Sequence, residues 1–219
     1  ILTTHTGSLP RSPEMQESLR IREEQGELDQ ASFDAITHQA VGEVVQRQIA
    51  TGLDVNNDGE QGRAQYATYV KDRLTGFEGE RLVRSWSRLE DVDFPEFAAN
   101  RTHTSSTSMP QPTCSGPITW KDWPAVERDL RNLKTAVGEP QAEEVFMTAA
   151  SPGVIAYFLP NDYYANEEAY LYALAEVMKD EYKATVDAGF LLQIDCPDLA
   201  MTRVSQFSEL TNGEFRKVV

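Results

Sequence analysis

Apolar positions along this chain fall into two alternating periods, and the alternation predicts helices feeding short buried strands. Between residues 32 and 50, Phe33, Ile36, Ala40, Val41, Val44 and Val45 recur at the three- and four-residue intervals that gather side chains on one helical face. Asp29 or Ser32 can cap the start of that helix, and Gly52 its end. Leu53-Asp54-Val55-Asn56-Asn57 then reads as a strand, with Asp58-Gly59-Glu60 as the turn at its tip. The pattern recurs. Val145-Phe146-Met147-Thr148 runs into the turn Ser151-Pro152-Gly153. Residues 166–188 put Tyr170, Leu174, Val177, Met178 and Tyr182 on one side and stop at Gly189, and Phe190 to Ile194 form a strand closed by Asp195-Cys196-Pro197. Ile118-Thr119-Trp120 gives another candidate strand ahead of a helix near 124–137. The first candidate strand ends in Thr3-Thr4-His5-Thr6-Gly7-Ser8, after which Pro10 removes a backbone donor and a loop follows. Thr211 and Glu214 stand at capping-box spacing, so a helix is expected to begin there.

Helices alternating with short strands imply an α/β fold around a parallel sheet. The count of candidates fits about the first five βα units of a (β/α)8 TIM barrel, whose closed form takes about eight strands and about 250 residues. Residues 76–112 break the alternation. They are polar, dotted with aromatics and rich in Ser, Thr and Pro, as expected of an excursion or lid carrying a short hairpin. Residues 1–219 are thus expected to form a single partial barrel domain, and Ile1 in place of Met is read as residues missing before it.

Composition excludes some partners. The chain is 40% hydrophobic and 25% charged, ordinary for a soluble globular protein. A net charge of −15 leaves no surplus of Lys and Arg for a nucleic-acid backbone. With no apolar run of bilayer length and no signal-peptide start, the expected location is the cytoplasm, with no membrane partner. Cys114 and Cys196 match no disulfide framework, which fits a reducing compartment.

In parallel βα folds the reacting groups gather at the C-terminal tips of the strands. Thr6-Gly7-Ser8 can present backbone N–H groups to a carboxylate, or can simply turn the strand into its loop. Glu60 and Asp195 follow strands and suit a ligand ammonium or a general base, the alternative being exposed turn acids. His5, Glu60, Cys114 and Cys196 are acceptable zinc-ligand types, but no His-x-Cys or other close ligand pair occurs, so no metal site is expected in this chain. His5 and Cys196 remain possible additional pocket residues, although a small buried core residue is the commoner role for a cysteine such as Cys196. His38 and His103 are expected to face solvent.

Taken in order, Thr3 to Arg11, Gly52-Leu53-Asp54-Val55 with Asp58-Gly59-Glu60, Ser115-Gly116-Pro117-Ile118-Thr119, and Gln193-Ile194-Asp195-Cys196-Pro197 resemble the ordered motifs of the vitamin-B12-independent methionine synthase family. The resemblance implies methyltransferase activity of the 5-methyltetrahydropteroyltriglutamate-homocysteine S-methyltransferase type. It places Thr6, Gly7, Ser8, Glu60 and Asp195 around the amino-acid part of homocysteine, with backbone donors on the carboxylate and two acids on the ammonium. Its zinc ligands, a His-x-Cys pair, a Glu and a later Cys, are expected downstream of Asp195, so the catalytic residues are not identified within this chain. The implied partners are a small thiol and an alkyl donor. Some positions depart from the family pattern: Cys196 and Asp198 replace a glutamate and an alanine, and Asp58 replaces a histidine. These departures point to the short single-barrel branch, which leaves an epoxide:thiol transferase or lyase as a second enzyme reading. A noncatalytic binding protein, or an inactive fragment, is the reading outside enzymes. Tetrapyrrole decarboxylation is disfavoured because no arginine cluster awaits a polycarboxylate.

Overall fold

A computed structural model describes residues 1–25, 29–82, 92–101, 110–138 and 143–219. Helix α1 (Pro13–Gln25) opens the fold. It was not foreseen, because Met15, Ser18 and Leu19 supply only a thin buried stripe on an otherwise polar segment. Local chemistry makes up the difference: Ser12 Oγ accepts the Met15 amide at 3.2 Å, and proline stands at the first helical position, where its missing N–H costs nothing. Helix α2 (Gln30–Thr51) follows. Asp29 rather than Ser32 is its cap, accepting the Ala31 and Ser32 amides, and Gly52 closes it at φ 85°.

Strand β1 (Val55–Asn56) lies parallel to β4 (Glu144–Ala150), and β4 lies parallel to β5 (Leu191–Asp195), giving the order β1-β4-β5. The N-terminal segment extends alongside β1, with the Asp54 and Val55 amides both donating to the Thr3 carbonyl at 3.1 Å. Between β1 and β4 come the short helix α3 (Val70–Arg73), β2 (Gly79–Leu82), helix α4 (Pro95–Arg101), β3 (Pro110–Thr113) and helix α5 (Trp123–Val137). Strands β2 and β3 pair antiparallel, so a hairpin does occupy part of the polar stretch at 76–112; residues 83–91 and 102–109 of that stretch, and with them His103, lie outside the described residues.

Two strand expectations are corrected: the segment ending in Thr3 to Ser8 runs extended beside β1 but forms no strand of the sheet, and neither does the third motif. Ile118-Thr119-Trp120 does not join the parallel sheet; Trp120 makes an isolated antiparallel bridge to Leu74, and Thr75 bonds Thr119 through both backbone and hydroxyl. The segment was short and apolar enough for a strand, but its partner is the chain that precedes the hairpin. The strand neighbouring β1 is β4 instead.

Helices pack against the sheet. Val41 and Val45 of α2, Leu133 of α5 and Met147 of β4 form one cluster, and burying each such side chain contributes about 1.5–3 kcal/mol. A larger cluster joins Leu74, Cys114, Val154 and Ile155 of α6 (Pro152–Phe158), and Tyr170, Leu174 and Met178 of α7 (Glu167–Asp187). Asn166 caps α7 through its side chain. After β5 the chain makes the short helix α8 (Asp198–Met201), a 3-10 turn and α9 (Asn212–Phe215), whose Thr211–Glu214 capping box is fully formed. No helix among the described residues is long and apolar enough to cross a membrane.

Candidate functional site

The turn after β1 is built from side chains that bond their own backbone. Asn57 Oδ1 accepts the Gly59 amide at 2.8 Å, and Asp58 Oδ1 accepts the Glu60 amide at 2.9 Å. Glu60 consequently sits at φ 55°, a left-handed conformation that costs a residue with a side chain about 1–3 kcal/mol. Arg11 holds the turn from outside, with Nη2 donating to the carbonyls of Glu60 at 2.8 Å and Arg63 at 2.6 Å. Leu9 adds a backbone bond to the Gly59 carbonyl at 3.0 Å. The turn places the acid inside: Glu60 is 1% exposed, not the surface turn residue its local sequence allows.

Both oxygens of that carboxylate are engaged. Ser8 Oγ donates to Oε2, and Thr148 Oγ1, from β4, donates to Oε1 at 3.0 Å. Gly7 leaves the space for it, since a Cβ there would stand 2.6 Å from Glu60 Oε1. Among the described residues no acceptor is bonded to the Gly7 or Ser8 amide. Thr6 and Ser8 are exposed, and Gly7 is buried.

Asp195 comes from the far side. Thr148 pairs in register with Gln193, and Ala150 with Asp195, so these side chains share one face of the sheet. Gln193 Nε2 bridges the Thr6 carbonyl at 2.5 Å and Asp195 Oδ1 at 2.9 Å, tying the first loop to the second acid. Burial pushes the Asp195 carboxyl above the ordinary aspartate value; the Gln193 bond and Arg63 oppose this, and the negative Glu60 adds to it. Tyr66 borders the same mouth, its phenol raised by burial and then by Asp195, Asp198 and Glu60.

Beneath lies a buried charge network. Arg63 Nη1 donates to the Thr148 carbonyl at 2.7 Å and to its hydroxyl at 3.3 Å. Asp129 accepts from Arg73 at 2.5 Å and from Arg63 at 3.5 Å, while Tyr69 donates to Glu181 at 2.6 Å. Both guanidinium groups lie against the Tyr69 ring, at 4.5 and 4.7 Å from its centroid.

The other candidate residues sit elsewhere or do other work. His5 Nε2 pairs with Gln48 Oε1 of α2 at 2.9 Å, and its ring lies 6.0 Å from that of Phe146. Cys114 is 0% exposed in the core, its amide bonded to Pro160 O at 2.8 Å; it directly follows β3, and the Ser115 amide bonds Gly76 O at 2.8 Å, so the motif continues the hairpin and does not lead into a strand of the parallel sheet. Cys196 is exposed rather than buried: it falls just past β5, where the chain turns outward. His38 is exposed as expected and touches Asn132. Asp58 is a buried turn former, its carboxyl raised chiefly by burial. Thr148, Arg63, Arg11 and Gln193 escaped the sequence reading. Only Gln193 carried a signal, being two residues before Asp195 on a strand and therefore on its face.

Residues 1–138 match the family model for the cobalamin-independent synthase catalytic domain. The chain belongs to that family. A methionine synthase of Sulfolobus acidocaldarius is 27% identical over 196 residues, covering 89% of this chain and 51% of the relative. One of Saccharolobus solfataricus is 27% identical over 198 residues, covering 90% and 53%. The chain thus spans about half the length of these relatives. The fold is similar to that of a B12-independent methionine synthase from Shewanella sp. W3-18-1, solved in complex with selenomethionine, with a TM-score of 0.61 at 22% identity over 78% of this chain and 45% of that one. Matched residues 1–138 include Gly7, Ser8 and Glu60 but stop short of Thr148 and Asp195.

Proposed function

We propose that Thr6, Gly7, Ser8, Glu60 and Asp195 bind the amino-acid end of a small thiol such as homocysteine, and that the protein belongs to an enzyme that methylates it. The observation that carries this reading is Glu60: a carboxylate 1% exposed, oriented by two hydroxyl donors, and sharing a mouth with Asp195 and the Gly7 and Ser8 amides. Two acids suit an ammonium, and adjacent N–H groups suit a carboxylate. The names of the relatives, and the selenomethionine complex of the Shewanella protein, support an amino acid in this place. On the same reading the parallel sheet is part of a (β/α)8 barrel, the mouth lies at the strand tips, and the protein works in the cytoplasm.

Zinc is implied by the family, where it would activate the thiol. The residues here do not fit it: among the described residues no group of three or more His, Cys, Asp or Glu could hold a metal, and the mouth offers hydroxyl-bonded carboxylates. The chain's own contribution is to fix and orient the thiol substrate.

Calorimetric titration of the protein with homocysteine and with 4-sulfanylbutanoate, its counterpart without the amino group, tests the reading. Homocysteine should bind more tightly by about tenfold or more, since a hydrogen bond to a charged group contributes about 1.5–3 kcal/mol. Equal affinity for the two thiols would remove the ammonium site.

A further inference from the structure

We infer that Thr148, oriented by Arg63, is a positioning residue that fixes the direction of the Glu60 carboxylate; this rests on the reading of Glu60 as an ammonium acceptor. The argument is one of donors and acceptors. Arg63 Nη1 lies 3.3 Å from Thr148 Oγ1 and 2.7 Å from the Thr148 carbonyl, and a guanidinium can only donate. The Thr148 hydroxyl therefore accepts from Arg63 and has its single proton free for Glu60 Oε1, 3.0 Å away. Ser8 supplies the matching donor to Oε2. With one hydroxyl donor on each oxygen, the carboxylate plane is fixed from both sides.

The rest of the buried network keeps Arg63 in place. Arg63 stacks on Tyr69, meets Asp129 at 3.5 Å and approaches Glu181 at 4.0 Å. Tyr69 is bound in turn to Glu181. Arg63 and Glu181 are each 2% exposed in their side chains, so solvent does not compete for these contacts. Ser8 lies on the exposed first loop, whereas Thr148 lies on a central strand, which makes Thr148 the rigid half of the clamp.

The test uses Thr148→Val, which keeps the shape and removes the hydroxyl, with Thr148→Ser as the conservative rescue. Two readouts are taken: the orientation of the Glu60 carboxylate in crystals of each variant, and the affinities for homocysteine and 4-sulfanylbutanoate. Thr148→Val should turn the Glu60 carboxylate away from position 148 and weaken homocysteine by about tenfold, leave 4-sulfanylbutanoate unchanged, and be reversed by Thr148→Ser. Arg63→Lys, which keeps the charge but loses the planar fork, should turn Glu60 in the same way. An unmoved Glu60 carboxylate, or equal weakening of both thiols, would overturn the positioning role. Should the unaltered protein fail to bind homocysteine, the amino-acid reading falls, and the Glu60 orientation still decides whether Thr148 positions it. If Thr148→Val does not fold, Thr148→Ala makes the same comparison with less bulk.

Discussion

Gly7→Ala puts a methyl group where the structure has none to spare. Its Cβ would stand 2.6 Å from Glu60 Oε1 and 3.5 Å from both Glu60 Cδ and Thr148 Cγ2. Gly7 is not among the glycines with positive φ, so the penalty is one of space and not of backbone conformation. The carboxylate has little freedom to retreat, because moving means loosening the bonds from Ser8 and Thr148, each worth about 1.5–3 kcal/mol to a charged acceptor. Overpacking of about 1–3 kcal/mol is the smaller cost, so the expected destabilisation is about 1–3 kcal/mol. Urea denaturation measures it as a drop in midpoint at unchanged slope. A double-mutant cycle isolates the cause: in a Glu60→Ala background the methyl group gains room, and Gly7→Ala should cost close to nothing. An equal cost in both backgrounds, or none in the unaltered protein, would refute the claim that Gly7 exists to accommodate Glu60.

Other outcomes rest on the buried charges and on one helix cap. Homocysteine affinity should fall on acidification through a midpoint above the ordinary aspartate value, since burial raises Asp195; Glu60→Gln, which removes the neighbouring negative charge, should move that Asp195 midpoint down in an NMR titration. Asp58, also raised by burial, contributes stability that is present below its unfolded value and lost as pH rises through its folded one. Asp58→Asn, which keeps the acceptor for the Glu60 amide, should therefore stabilise the protein at neutral pH by denaturant titration, with the gain vanishing in acid. Asp129 behaves oppositely: burial raises it, but Arg73 and Arg63 outweigh burial and hold it low, so its stabilisation is present above the ordinary aspartate value and lost as pH falls through the depressed one. Asp129→Ala should cost about 3–5 kcal/mol in the same assay by leaving Arg63 and Arg73 with Glu181 as their remaining ion-pair partner, while Asn166→Ala at the α7 cap should cost only about 0.5–2 kcal/mol and leave thiol binding intact.

The regular parts of the fold were readable because burial writes a period into them. Helix α2 exposes its buried face as Phe33, Ala40, Val41, Val44 and Val45, and α7 does so as Tyr170, Leu174 and Met178. Helix α1 lacked that stripe, and Ile118 to Trp120 had the composition of a strand without its partner, so both were misread from local pattern alone. At the site, Gly7, Ser8, Glu60 and Asp195 stood out as polar groups at strand tips, and the structure gathers them. What sequence spacing could not carry was pairing over distance: Thr148 reaches Glu60 across 88 positions and Arg63 across 85, through register set by β4. The burial of Glu60 was hidden for a similar reason, since it depends on the Asn57 and Asp58 side-chain turns and on Arg11 reaching back to the turn.

The most direct test of the central claim is a crystal structure of the protein with homocysteine bound. The account predicts the ligand ammonium within about 3 Å of Glu60 and Asp195, and its carboxylate at the Gly7 and Ser8 amides. Homocysteine seated elsewhere, or with its ammonium turned away from both acids, would contradict it.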